Sequence, residues 1–294
     1  MQEIYGHCNG PVVILHGGAA SQDQKGPKHR EATDALRQIA QSAVAAMEQG
    51  TLALDVVVFC LQEMEKNPLF NAGFGSALQA DGQVRVTAAL MDGPRQVFSG
   101  VLSAQHVTHP SLIARHLQGC DSRVVTSPGA ELLARQLGLP VESQITPERL
   151  QRWVKARESA QPPKGFDTVG CVIRTSSGEL YAGTSTGGRG FEFPGRVSDA
   201  ATVAGTYASL HAAISATGTG EQIVDDALCA RLETRCRDGL SLEESSRRCF
   251  REATERQHDY GWIAVSHHGD WGLAHTTPAM TWAVATTGQI VSTS

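Results

Sequence analysis

A break in pattern between residues 141 and 168 constrains this chain more than any other feature. It holds Thr146-Pro147-Glu148, a helix-start signal, then the charged run ERLQRWVKARE, and it ends in SAQPPKG. Two prolines, a lysine and a glycine in that last piece read as an exposed linker. Directly after it the pattern switches to strands. Residues 169–174 and 179–184 read as two strands joined by the turn Thr175-Ser176-Ser177-Gly178.

On either side of the break, helical and strand periodicities are segregated. Upstream, Pro11 to Leu15 reads as a short strand ending in His16-Gly17-Gly18. A helix is expected over about residues 31–49, with Ala32, Leu36, Ile39, Ala43 and Met47 along one face. A second is expected over about residues 54–66, ending at Asn67-Pro68. The Gly-rich NAGFGSAL, a strand-like QVRVTAALM and short helices near 111–118 and 130–137 follow. Downstream, one helix is expected over about 221–237 and another over about 242–257. Strand pieces WIAVS and WGLAHT flank His267-His268-Gly269-Asp270, and residues 280–285 and 289–291 read as a last hairpin. Without strict βαβ alternation, a layered α+β fold is favoured over a doubly wound sheet.

Bulk properties narrow the function. With 294 residues, 41% of them hydrophobic, the chain can bury a sizeable core. A net charge of −5 gives no reason to expect nucleic acid or an anionic membrane surface as partner. The seven cysteines are odd in number and form no CxxC pair, which fits free thiols in a reducing cytoplasm. The start MQEIYGHCNGPVVILHGG shows no signal-peptide pattern, and a cytoplasmic enzyme is the expectation. His267-His268 sits in a turn without a spaced set of partners, so a metal centre is not expected there.

The sharpest chemical feature is Phe166-Asp167-Thr168-Val169-Gly170, a threonine where linker meets strand. An internal threonine hydroxyl is a poor nucleophile. A threonine at a chain terminus carries its own base, an α-amine that titrates near roughly 7.7–8.0. Scission between Asp167 and Thr168 would create that terminus. Taken alone, Thr168 reads first as a β-branched residue opening a strand. A competing nucleophile would be Cys171 with a histidine, although a cysteine within a strand is usually inert.

The segment DTVGCVIRTSSGELYAGTSTGG, with FPGRVSD and ATGTGE after it, resembles the plant-type L-asparaginase / isoaspartyl aminopeptidase family of N-terminal nucleophile hydrolases. The resemblance extends upstream through HGGA, NPLFNAGFGSAL and MDG, and downstream through GDWGLAHTTPAMTWA, so it covers nearly the whole chain in order. It implies a four-layer αββα sandwich, self-cleavage into residues 1–167 and 168–294 that stay one folded domain, and a dimer of such heterodimers. It also implies hydrolysis of asparagine and β-aspartyl dipeptides without a catalytic cofactor.

The same resemblance implies residue roles. Thr168 is the nucleophile, first toward the bond after Asp167 and then toward substrate. Thr186 contacts its oxygen or amine. Thr219 and Gly220 form the oxyanion hole, with Thr219 also placed to cap a helix. Arg196 and Asp199 grip the α-carboxylate and α-ammonium of the substrate, and Asn71 lies near the nucleophile. Backbone carbonyls of Met64, Glu65, Asn67, Phe70, Ala72 and Phe74 hold a structural sodium ion. The chain departs from the family pattern at Ala20, Thr87, Ser198, Ala200-Ala201 and Asp167. An aspartate before the nucleophile also suits a glycosylasparaginase-like amidase, and a family member that never matures would instead be a binding protein.

Overall fold

The structure is a computed structural model that describes residues 1–20, 26–159 and 168–293. The linker residues 160–167, including Asp167, lie outside the described residues. In chain order the elements are β1 (Gln2–His7), β2 (Val12–Ala20), α1 (Pro27–Glu48), α2 (Ala53–Lys66), β3 (Val86–Asp92), β4 (Val97–Ala104), α3 (Pro110–Leu117), β5 (Val124–Thr126), α4 (Gly129–Gln136), α5 (Pro147–Glu158), β6 (Val169–Arg174), β7 (Leu180–Thr186), β8 (Thr206–Ala208), β9 (Ala212–Gly218), α6 (Gly220–Asp225), α7 (Leu228–Arg237), α8 (Leu242–Glu255), β10 (Tyr260–Ser266), β11 (Asp270–His275), β12 (Ala279–Thr286) and β13 (Gln289–Ser292).

The strands form two sheets. An eight-stranded sheet runs β13-β12-β2-β6-β7-β3-β4-β5, and a five-stranded sheet runs β1-β11-β10-β9-β8. Every described pairing is antiparallel except β4 with β5. Strands from before and after residue 168 interleave, since β2 lies between β12 and β6 while β7 lies between β6 and β3.

Strand periodicity assigns the layers. On β2, Val13 and Leu15 join α1 and α2 in one apolar cluster, whereas Val12 and Ile14 join residues of the other sheet. On β6, Val169, Cys171 and Ile173 face the helices and Val172 faces the second sheet. The five-stranded sheet uses Ile263, Val265 and Leu273 toward its partner sheet, and Ile214, Ala216, Trp262 and Ala264 toward α7 and α8. Helices therefore cover the outer face of each sheet, and the α+β expectation holds. A smaller cluster of Val86, Val101, Ile113 and Ala130 packs α3 and α4 at one end.

Several elements depart from the sequence reading. β2 runs past Leu15 through the glycines, because Gly18 still pairs with Thr281 across a register shift in β12. The helix expected over 221–237 breaks into α6 and α7 at Ala227, which has a left-handed φ of 46°. The buried Asp226 carboxylate anchors this break, accepting from Tyr260 Oη at 2.6 Å and lying 2.9 Å from His258 Nδ1. β1, β4, β5, β8 and β9 were not expected. β9 is alanine-rich (AAISATG), a composition with weak strand propensity, and burial in the sheet overrides it.

All seven cysteines are free. Among the described residues no helix is long and apolar enough to cross a membrane. Trp262 is fully buried and donates from its ring nitrogen to Ser246 Oγ at 3.1 Å. Trp262→Ala is expected to cost about 3–5 kcal/mol in denaturant unfolding, and a loss under about 1 kcal/mol would contradict the packing described.

Candidate active site

Two strands meeting across the seam between the sheets build the site. On β7, alternation turns Thr184 and Thr186 toward the seam while Ser185 points back to α2 and donates to Glu65 Oε1 at 2.8 Å. On β9, Ser215 and Thr217 face the same seam from the other sheet. Thr168 immediately precedes β6, the fourth strand of the larger sheet, and is buried. Its Oγ1 donates to Thr186 Oγ1 at 3.1 Å, and its backbone N–H donates to Thr217 Oγ1 at 3.3 Å. Thr217 Oγ1 also accepts from the Ala19 N–H at 3.1 Å, which ties the glycine strip of β2 to the nucleophile position.

Behind Thr168 runs a buried chain of hydroxyls. His16 Nε2 lies 2.9 Å from Ser215 Oγ, which lies 2.7 Å from Thr184 Oγ1. Thr184 meets the Thr206 hydroxyl, which donates to the Ala200 carbonyl at 2.8 Å. Burial pushes His16 down to about 3, so it is neutral at physiological pH. Gly170 must lack a side chain here, because a Cβ would sit 2.0 Å from Ser215 Oγ and 2.2 Å from His16 Nε2.

Asn71 does not touch Thr168 directly. Its Nδ2 donates to the Gly188 carbonyl, its Oδ1 accepts from Ala77 N–H at 2.8 Å, and the Gly188 N–H donates to Thr186 Oγ1 at 3.1 Å. Asn71 therefore bears on the nucleophile through Gly188 and Thr186. Thr219 follows Thr217 by two residues and occupies the N-cap position of α6, yet its side chain makes no capping bond. Gly220 abuts the acidic group of the site, since a Cβ there would sit 2.5 Å from Asp199 Oδ1.

Arg196 and Asp199 differ in their partners, although each favours the other's charge. Arg196 engages Glu221 through Nε at 2.6 Å and Nη2 at 2.8 Å, a bidentate contact on one edge of the fork. Those bonds hold Glu221 down at about 2. Nη1 lies outside that pair of bonds, on the fork's other edge. Asp199 is buried, and burial pushes it up to about 6. Cys171 is fully buried beside Cys60, and desolvation raises its thiol well above the usual range, which makes it a poor nucleophile.

Glycines of the loop after α2 lie against two carbonyls. A Cβ on Gly73 would lie 2.3 Å from the Glu65 carbonyl oxygen, and one on Gly75 would lie 1.7 Å from the Phe70 oxygen. The carbonyls of Met64, Asn67 and Ala72 each accept a backbone N–H, at 3.3, 3.1 and 3.0 Å. The Glu65 side chain is spent elsewhere, on Ser111 and Ser185. Among the described residues no group of three or more His, Cys, Asp or Glu side chains is arranged to hold a metal. A cavity of about 680 Å³ opens beside Gly17 and Phe70, lined also by Lys28, Arg152 and Thr281.

Sequence reasoning passed over Thr217, Ser215, Thr184, Thr206 and Glu221. A signal existed for three of them: polar residues at 215, 217 and 219 alternate along one strand face, as do 184 and 186. Gly170→Ala forces a methyl into the His16–Ser215 contact. It is expected to destabilise by about 1–3 kcal/mol in chemical unfolding, and an unchanged midpoint would contradict the close approach.

Known proteins are similar to this chain in sequence. A family described as asparaginase matches residues 9–294. An isoaspartyl peptidase/L-asparaginase of Synechocystis sp. is 40% identical over 92% of this chain and 86% of its own length. One of Nostoc sp., under the same name, is 39% identical over 89% and 88%. An isoaspartyl peptidase of Salmonella typhimurium is 33% identical over 92% and 97%. With a family match over nearly its full length and relatives this similar, the chain belongs to the asparaginase family.

Proposed function

We propose that this chain is a self-cleaving threonine amidohydrolase that converts L-asparagine and β-aspartyl dipeptides to L-aspartate plus ammonia or an amino acid. The observation that carries this reading is Thr168 at the head of a central strand, its oxygen held by Thr186 and its nitrogen by Thr217. The names borne by the relatives from Synechocystis sp. and Nostoc sp. agree with both substrates. In this reading the two helix-covered sheets are the αββα sandwich of the N-terminal nucleophile hydrolases, and the mature enzyme is a dimer of cleaved heterodimers in the cytoplasm.

Maturation is an N-to-O acyl shift. Thr168 Oγ1 attacks the Asp167 carbonyl carbon, the C–N bond breaks, and the hydroxyl proton passes to the departing nitrogen. Water hydrolyses the ester, leaving the Asp167 carboxylate and a free Thr168 amine. That amine titrates near roughly 7.7–8.0, so its neutral form can accept the hydroxyl proton in each later turnover. Arg196 binds the substrate α-carboxylate and Asp199 the α-ammonium, presenting the side-chain carbonyl to Thr168. The Thr219 hydroxyl and the Gly220 N–H stabilise the tetrahedral oxyanion, each worth about 2.7–4 kcal/mol. The amine delivers its proton to the leaving nitrogen, and water then releases aspartate from the ester.

The resemblance implies a structural sodium ion on the backbone carbonyls of Met64, Glu65, Asn67, Phe70, Ala72 and Phe74, three of which also accept a backbone N–H. Neutral oxygen donors match a hard cation of low charge, and the nearby Glu65 carboxylate is already spent on hydroxyls. The ion would fix the loop that carries Asn71 and has no part in the chemistry.

Release of ammonia from L-asparagine and of leucine from β-Asp-Leu tests the reading. Wild-type protein is expected to turn over both, while Thr168→Ala loses at least about 10⁴-fold in kcat, on the scale of nucleophile removal elsewhere. Turnover of a glycosylated asparagine alone would move the assignment to the glycosylasparaginase-like amidase. Undiminished turnover by Thr168→Ala would overturn the nucleophile.

A further inference from the structure

Beside the proposed ammonium grip stands a hydroxyl with no role in the reaction as derived so far. Ser198 Oγ donates to Asp199 Oδ1 at 3.1 Å. The contact is confined on its far side by Gly220, where a Cβ would lie 2.5 Å from both Ser198 Oγ and Asp199 Oδ1. The other carboxylate oxygen, Oδ2, is buried without a hydrogen-bond partner among the described residues and faces Gly205, where a Cβ would lie 2.7 Å away. Ser198 is thus the side chain that donates to a carboxylate 3% exposed to solvent.

We propose that Ser198 is a positioning residue that holds Asp199 in the orientation that receives the substrate's α-ammonium group, and so sets the affinity for that end of the substrate. This rests on the reading of Asp199 as the ammonium grip. A buried carboxylate with few donors is costly to keep charged, and a hydrogen bond to the charged form offsets part of that cost. The charged and titratable groups around Asp199 are few. Arg196 from the same loop favours its ionised form, while Glu221 from α6 opposes it. Cys229 from α7 is a buried thiol raised well above its usual range, and so is neutral. Burial holds Asp199 at about 6 with the Ser198 bond in place. Without that bond its titration moves upward, toward neutral pH.

The test is the pH dependence of kcat and KM for L-asparagine in wild type, Ser198→Ala and Ser198→Thr. The Thr168 amine, titrating near roughly 7.7–8.0, sets the upper step of the kcat/KM acid limb in all three proteins, and removing a hydrogen bond to a charged group is expected to move the lower step, that of Asp199, up by about one pH unit in Ser198→Ala. With the Asp199 step starting near 6, and the amine factor cancelling between the proteins, KM relative to wild type rises about 2-fold at pH 7 and about 5-fold at pH 6, with kcat unchanged. Ser198→Thr keeps a hydroxyl and is expected to restore the wild-type limb. A KM ratio between Ser198→Ala and wild type that does not grow from pH 7 to pH 6, or a loss confined to kcat, would overturn the proposal. Carboxyl-carbon NMR of Asp199 in the same three proteins reads the titration without turnover. Should wild type hydrolyse neither substrate, the functional reading fails, while the NMR shift still decides whether Ser198 governs Asp199.

Discussion

Two sheets meet at Thr168, and the remaining architecture serves that meeting. Thr168, the proposed nucleophile, is gripped from both sides of the seam: its oxygen by Thr186 of the larger sheet, its nitrogen by Thr217 of the smaller. A one-residue slip of β7 would break the first contact and one of β9 the second, because a slip turns each side chain to the opposite face. The apolar alternation of β2 and β6 that packs α1 and α2 therefore also sets the register of the chemistry. Gly170 adds a second constraint, since only a missing Cβ lets β6 pass the His16–Ser215 contact. That contact continues through Thr184 and Thr206 to the Ala200 carbonyl, next to Asp199. One buried polar chain thus runs from His16 to the residue beside the proposed clamp.

Charge at the clamp is divided by burial. Glu221 is half exposed and ion-paired, and it occupies one edge of the Arg196 fork. Asp199 is enclosed and carries no ion pair of its own, although Arg196 lies near enough to favour its charge. A guanidinium edge beside a buried carboxylate matches an amino acid whose α-groups are both free and whose side-chain amide is the bond to be cut. An ordinary α-peptide offers no such pair of charges at the residue being cleaved. In the proposed reaction this is what separates β-aspartyl linkages from the peptide bonds of proteins.

Much of this was legible in the sequence, for reasons that differ by element. The switch at residues 168–169 from polar linker to apolar strand marked both a structural and a chemical boundary, and β6 spans the residues its periodicity indicated. The long helices α1 and α2 announced themselves through apolar spacing and through the Asn67-Pro68 stop. β9 escaped notice because alanine and serine dominate a strand buried on both faces, where packing and not propensity decides. The break at Ala227 was illegible too, since it depends on Asp226 gathering partners from residues 231, 256, 258 and 260. Glu221 looked like an ordinary acidic residue in a first helical turn, and only folding places it on Arg196. The hydroxyl partners of Thr168 were written in the alternation of 184 with 186 and of 215 with 217, but such patterns acquire meaning only when two sheets are known to face each other.

Interleaving of strands from before and after residue 168 means that scission there would leave two pieces sharing one core, with β2 still between β12 and β6. Intact mass spectrometry of the purified protein after prolonged incubation, beside Thr168→Ala, is the most direct test of the nucleophile assignment. The account predicts two co-purifying fragments, residues 1–167 and 168–294, whose masses sum to the chain plus one water, and an uncut Thr168→Ala. A wild-type chain that hydrolyses asparagine while remaining whole, or a new terminus at any other residue, would contradict it.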